Sequence, residues 1–205
     1  MQTLRQFITR SRTFILVVDV VGKYSLEVRK LSLRVLELIR EGLGLEPEDF
    51  GEELTGGQLL SINHYPPCPD PSLTLGLPKH ADPNLITVLL QGNVTGLQVF
   101  KDGQWLGVEP LPHAFVVNIG HQLQIISNGK LRSAEHRAVT NLREARTTIV
   151  SFISPCQDTI IEPAKSMIDT GVPRFQPFKF KDFLKFYEEK KGDTEAMMKV
   201  YKIKP

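Results

Sequence analysis

The sequence predicts a mainly β fold with flanking helices, in the sandwich or jelly-roll class. Three observations carry that prediction. From residue 85 to residue 152 the chain runs as short apolar stretches parted by turn signals, such as Lys101-Asp102-Gly103 and Ser127-Asn128-Gly129, with no intervening helix. Helical periodicity is confined to the flanks, at residues 25–43 and 182–190. The 205 residues, 41% hydrophobic and 23% charged, suit one globular domain with a sizeable core.

Taken in order, residues 1–18 contain Arg5, Arg10 and Arg12 and no acid, and the apolar run from Phe14 to Val18 ends at Asp19. That run is shorter than the roughly 7–15 apolar residues of a secretory signal. An organelle transit peptide is open, and an atypical N-terminus of a cytosolic chain is the favoured reading. Residues 25–43 read as a helix with Ser25 as its N-cap. Val28, Leu31, Val35, Leu38 and Ile39 form its apolar stripe, and Gly42 and Gly44 stop it. Pro47 starts a short second helix through Leu54. Residues 59–65 form a strand ended by Pro66-Pro67, with Asn63 and Tyr65 on one face.

Residues 85–91 read as one continuous, largely apolar strand. Residues 96–100 and 104–108 flank a Gly-containing hairpin turn. Residues 114–119 are apolar but for Asn118, as in a strand buried on both faces, and residues 122–126 continue the β series. Strands around His136 and Arg146 follow, joined by a turn at residues 141–144 that makes them antiparallel neighbours. Beyond Pro155 the pattern changes, and residues 182–190 place Phe183, Leu184, Phe186 and Tyr187 among Lys and Glu as an amphipathic helix. The divisions are an N-terminal segment 1–19, a helical region 20–58, a β core 59–155 and a C-terminal extension 156–205.

Composition narrows the function classes. The net charge is +2, from 25 basic and 23 acidic residues, with no dense basic stripe, which argues against a nucleic-acid partner. No apolar run approaches the ~20 residues of a membrane span. Cys68 and Cys156 do not make a disulfide scaffold and fit a reducing, cytoplasmic compartment. Nothing in the sequence fixes the oligomeric state.

Chemistry concentrates at three places. In an extended His80-Ala81-Asp82, the imidazole and the carboxylate project to one side and Ala81 to the other. His136 is a third ligand candidate, far enough along the chain for the sheet to fold back. Two imidazoles and one carboxylate are the facial triad of non-haem Fe(II) sites, whereas structural zinc prefers four closed ligands. On an extended segment, Arg146, Thr148, Val150 and Phe152 share a face, and the guanidinium and hydroxyl two residues apart make a grip for a carboxylate. Singly, each has a plainer reading: His80 as a loop histidine between Pro78 and Pro83, His136 as a backbone-bonded strand histidine, Arg146 as a solvated strand start.

The segments Asn63-His64-Tyr65-Pro66-Pro67-Cys68-Pro69, Leu75-Gly76-Leu77-Pro78-Lys79-His80-Ala81-Asp82-Pro83, Gly96-Leu97-Gln98-Val99, Ala114-Phe115-Val116-Val117-Asn118-Ile119-Gly120, Ser127-Asn128-Gly129 and Glu135-His136-Arg137 occur in one order. Together they resemble the plant 2-oxoglutarate- and Fe(II)-dependent dioxygenases of specialised metabolism, a family that includes flavonoid oxygenases and hyoscyamine 6β-hydroxylase. The resemblance covers residues 20–205. It implies a double-stranded β-helix (jelly-roll) core, iron held by His80, Asp82 and His136, and 2-oxoglutarate gripped by Arg146 and Thr148. It further implies Tyr65 and Asn63 at the cosubstrate, Phe152 at the substrate pocket, and the helix at 182–190 as a lid. Thr148 stands where the family has Ser, which keeps the hydroxyl. His121 stands where an Asp is usual, and reads as a surface residue or one behind the ligands.

The implied activity is hydroxylation or desaturation of a small plant metabolite with O₂, releasing succinate and CO₂, with ascorbate as a reductant. Two other readings stay open: an ascorbate-dependent oxidase of the same fold, and a shortened, non-catalytic paralogue. Because the family likeness begins only near residue 20, an unpaired strand edge and an exposed apolar helix face are expected.

Overall fold

The computed structural model describes residues 12–168 and 172–203. Arg5 and Arg10 lie outside the described residues. The first element, α1 (Arg12–Leu43), is a 32-residue helix. It starts well before Ser25, which is therefore an interior residue and not the N-cap expected of it. The reason is that only Gly22 interrupts the upstream stretch, and an interior glycine costs about 1 kcal/mol, too little to end a long helix. The buried stripe also differs from the expected one: Val28, Ser32 and Leu36 are buried, while Leu31 and Leu38 are exposed. Two 3₁₀ turns, Pro47–Phe50 and Glu52–Leu54, replace the single short helix expected after Pro47.

The core is two four-stranded antiparallel sheets in a jelly-roll arrangement. The first contains β1 (Gly57–Tyr65), β3 (Ile86–Leu90), β6 (Val116–Ile119) and β8 (Arg146–Ser154), in the order β1-β8-β3-β6. The second contains β2 (Leu75–His80), β4 (Leu97–Lys101), β5 (Gln104–Gly107) and β7 (His136–Val139), in the order β2-β7-β4-β5. The β4–β5 hairpin turns through Asp102 and Gly103, both at positive φ (51° and 79°), as a tight two-residue turn requires. A two-stranded piece, β9 (Ile160–Ile161) with β10 (Phe178–Lys179), precedes α3 (Phe180–Glu189) and α4 (Thr194–Tyr201).

Three strand expectations are corrected. The segment after Gly120 is the helix α2 (His121–Ile126), not a strand. It is too short to display a helical period, and five of its six residues are buried, so its apolar run resembles a core strand. β6 is the outer strand of its sheet, with Val117 39% exposed, so it is not buried on both faces. β7 and β8 are not neighbours: β7 pairs with β2 and β4, β8 with β1 and β3. The connection between them crosses from one sheet to the other, and the side chain of Asn141 caps it by accepting from the amides of Arg143 and Glu144 at 2.9 and 2.7 Å.

The larger apolar core lies outside the sandwich, where Leu85, Ile86, Leu123, Ile153 and Phe183 meet α1, α2 and α3. Phe178, Phe183 and Tyr201 stack there, with ring centroids 5.4 and 5.3 Å from Phe183. α3 is thus a packing helix anchored by Phe180 and Phe183, and none of its residues lines the cavity between the sheets. β1 is an outer strand, and Leu59 and Ile62 on it, with Leu26 and Leu38 on α1, are exposed among the described residues.

Candidate metal centre and anion clamp

β2 and β7 pair so that His80 lies directly opposite His136. Their imidazole centroids are 4.3 Å apart. Asp82 follows just beyond the end of β2, and its Oδ1 stands 3.6 Å from Nε2 of both histidines. One ligand atom from each residue lies within 4.8 Å of the others. Ala81 is fully buried and points away, as the alternation of an extended segment requires.

The surroundings orient each ligand atom. The carbonyls of Pro78 and Ala134 accept from Nδ1 of His80 and His136 at 2.9 and 3.1 Å. In the neutral rings each Nδ1 therefore carries the proton, and each Nε2 presents its lone pair toward Asp82. Thr87 donates its hydroxyl to Asp82 Oδ2 at 2.7 Å, which leaves Oδ1 for the histidine side. Tyr187 donates to the Ala81 carbonyl at 2.9 Å and so ties α3 to the loop that carries Asp82.

Burial sets the charge states. Burial alone raises the Asp82 pKa, but hydrogen bonds and charge from His80, His136 and Thr87 outweigh it, and the carboxyl stays below its usual range. Burial holds His136 below the ordinary histidine value, while for His80 the Asp82 and Pro78 contacts overcome burial and raise it. One buried carboxylate beside two histidine Nε2 atoms is the donor set of a 2-His-1-carboxylate Fe(II) site, and among the described residues no fourth ligand of a structural zinc site joins it.

The opposite wall is built by β8 and β1. Arg146, Thr148, Val150 and Phe152 alternate onto the cavity face, and the register sets Tyr65 against Arg146 and Asn63 against Thr148. Arg146 is only 3% exposed. Its Nε donates to the Val94 carbonyl at 3.1 Å and its Nη2 to Gln91 Oε1 at 3.4 Å. The guanidinium lies 5.5 Å from the Tyr65 ring centroid. Among the described residues no carboxylate pairs with it, and burial pulls its pKa down. Burial pushes Tyr65 up, against the nearby Arg146 charge and a hydrogen bond with Thr148. Thr147 faces out and meets His64 Nδ1 at 2.9 Å, so Thr148 alone of the pair serves the cavity.

All eight residues singled out from the sequence, His80, Asp82, His136, Arg146, Thr148, Tyr65, Asn63 and Phe152, line this one cavity. Sequence reasoning missed Thr87, Gln91, Val94 and Asn118. Their contacts are cross-strand or loop contacts with no local spacing to announce them; Thr87 alternating with Leu85 and Leu89 along β3 was the only hint. His121 is fully buried, so the surface alternative for it is overturned. Its amide donates to the Asp82 carbonyl at 2.8 Å, and its ring sits edge-on to Phe183 and Tyr187 with both nitrogens unpartnered. Burial lowers its pKa to about 4.

Residues 56–155 match the model of the 2OG-Fe(II) oxygenase superfamily. The chain is 45% identical over 188 residues to hyoscyamine 6-dioxygenase of Hyoscyamus niger, covering 90% of this chain and 54% of that protein. It is 45% identical over 171 residues to 2'-deoxymugineic-acid 2'-dioxygenase of Hordeum vulgare, covering 82% of this chain and 50% of that protein. The crystal structure of JOX2 in complex with 2OG, Fe and JA superposes with a TM-score of 0.84 at 37% identity, covering 91% of this chain and 56% of that one. The chain spans about half the length of the curated relatives it matches.

Proposed function

The chain belongs to the 2OG-Fe(II) oxygenase superfamily, and from that premise we propose that it is the oxygenase core of an enzyme that hydroxylates or desaturates a small plant metabolite, consuming 2-oxoglutarate and O₂ and releasing succinate and CO₂. The observation that carries the proposal is the pairing, within one cavity, of an ordered His80–Asp82–His136 cluster with a buried Arg146 that has no carboxylate partner among the described residues. A buried guanidinium without a counter-ion is costly, and an anionic ligand would relieve that cost.

In this reading His80, Asp82 and His136 hold Fe(II), which with its cosubstrate supplies the oxidising chemistry when bound. The chain orients and shields. Arg146 and Thr148 fix the distal carboxylate of 2-oxoglutarate, with Tyr65 and Asn63 beside them. The carbonyls of Pro78 and Ala134 keep both imidazoles in the tautomer that binds metal. Leu77, Leu89, Leu97, Val150 and Phe152 give the cavity apolar walls, which favours a predominantly apolar substrate and keeps water out. Two free cysteines support a reducing compartment, and we place the protein in the cytoplasm, acting on small molecules and not on nucleic acid or membrane.

The test is 2-oxoglutarate turnover with added Fe(II), first uncoupled and then with a metabolite extract, measuring succinate per product. One succinate per product is expected, and His80→Ala or Asp82→Ala should abolish it. Product formed without succinate, or full turnover in either variant, would falsify the proposal.

A further inference from the structure

The guanidinium of Arg146 is held from behind by the loop between β3 and β4, residues 91–96. Gln91, 5% exposed, offers Oε1 to Nη2 at 3.4 Å and anchors its own amide on the Val108 carbonyl at 3.4 Å. Val94 offers its carbonyl to Nε at 3.1 Å. Gly96 closes the cradle, since a Cβ there would stand 2.9 Å from Arg146 Cδ and 3.1 Å from the Val139 carbonyl. Gly92 lies against β8 in the same way, since a Cβ there would stand 3.1 Å from the Thr147 carbonyl, and its φ of +71° is one that glycine adopts without strain.

We propose that Gln91 is a positioning residue for the anion clamp: neutral acceptors from the 91–96 loop aim Arg146 into the cavity without neutralising it. The choice of an amide matters. A carboxylate at position 91 would pair with the guanidinium and satisfy it internally, leaving little for a ligand. An apolar side chain would leave the cation free to rotate out of line with Thr148. Gln91 does neither, and its amide cannot turn round freely because Nε2 is held on Val108. This inference rests on the reading of Arg146 as the 2-oxoglutarate clamp.

The experiment measures 2-oxoglutarate binding calorimetrically to the whole chain loaded with Fe(II) under anaerobic conditions, alongside Fe(II) affinity and melting temperature. Gln91→Leu should weaken 2-oxoglutarate binding roughly tenfold, the scale of one hydrogen bond to a charged group, with Fe(II) affinity unchanged. Gln91→Glu keeps an acceptor in place but cancels the charge, and should weaken binding further than Gln91→Leu while leaving the fold intact. A purely structural role predicts the reverse ranking, or equal losses that track the melting temperature. Unchanged 2-oxoglutarate affinity in a folded Gln91→Leu chain overturns the inference and leaves the clamp standing; if Gln91→Leu does not fold, wild-type affinity in Gln91→Glu overturns it instead. Failure of the wild-type chain to bind 2-oxoglutarate overturns the functional reading, and this inference with it.

Discussion

Arg146→Met should make the metal-free chain more stable while removing its response to 2-oxoglutarate. Arg146 is 3% exposed, and only its Nε and one Nη2 hydrogen meet protein acceptors among the described residues. Replacing buried ion pairs by apolar side chains of similar volume is neutral to stabilising by ~1–4 kcal/mol, and removing Arg146 strands no partner charge among the described residues. Here the guanidinium borders a cavity that water can enter, which retains part of its hydration, so the low end of about 1 kcal/mol applies. For a chain of this size that is a rise in melting temperature of roughly 2–4 °C. The wild-type chain with Fe(II), given 2-oxoglutarate at a hundred times its Kd, gains about 2.7 kcal/mol. The methionine variant should gain nothing. Paired thermal melts with and without the ligand read both numbers. A methionine variant that melts below wild type, or one that still shifts with 2-oxoglutarate, refutes the argument that Arg146 is an uncompensated cation awaiting an anion.

Thr87→Val removes the donor to Asp82 Oδ2 and should lower Fe(II) affinity by roughly 10–100-fold in anaerobic titration, with little change in shape; equal affinity would show that the carboxylate is oriented without it. His136→Ala should lose Fe(II) binding outright, because the remaining pair lacks the third donor. His121 has a folded pKa of about 4, depressed by burial from 6.5. The unfolded chain therefore takes up this proton first as pH falls, so the stability is present above pH 6.5 and is lost on the way down to pH 4, by at most about 3 kcal/mol. Urea melts of the metal-free chain across that window should show a shallower loss in His121→Leu than in wild type; parallel pH profiles would contradict it.

Strand faces were legible in the sequence itself, whereas the double-stranded β-helix and the roles of the site residues came from the family resemblance. Alternation along a strand is a local property, so Arg146, Thr148, Val150 and Phe152 could be placed on one face from spacing alone, as could Asn63 with Tyr65. What local patterning could not carry was the assignment of strands to sheets. The turn at residues 141–144 looks like a hairpin connection, yet Asn141 uses its side chain to cap a crossing between sheets. α2 was misread because one and a half turns of helix with buried residues at nearly every position have no readable period. The α1 boundary failed because Ser25 was read as an N-cap, although a serine is also tolerated inside a helix and the helix starts at Arg12. His121 is the hardest case: a histidine with both ring nitrogens unpartnered in the core runs against the usual rule that buried polar groups find partners, and nothing beside it in the sequence signals its burial.

The corrected strand pairing changes how the site must be understood. His80 and His136 belong to β2 and β7 of one sheet, whereas Arg146 and Thr148 belong to β8 of the other. Were β7 and β8 neighbours, the distance from metal to clamp would be set by a hydrogen-bonded ladder and fixed near the strand spacing. Across a sandwich it is set by the side chains packed between the sheets, and here those are Leu89, Leu97 and Val150, a small apolar cluster separate from the main core. A ligand that bridges the two must therefore fit the gap this layer leaves between the walls, which is narrower than the roughly 10 Å between stacked backbones because side chains project into it from both sheets. Under the proposed function a dicarboxylate places one end at each wall. A monocarboxylate has a group for one wall only, so under the proposed function truncating Leu89, Leu97 or Val150 should change the relative affinity for 2-oxoglutarate and its one-carbon-longer homologue, and an unchanged ratio would refute this.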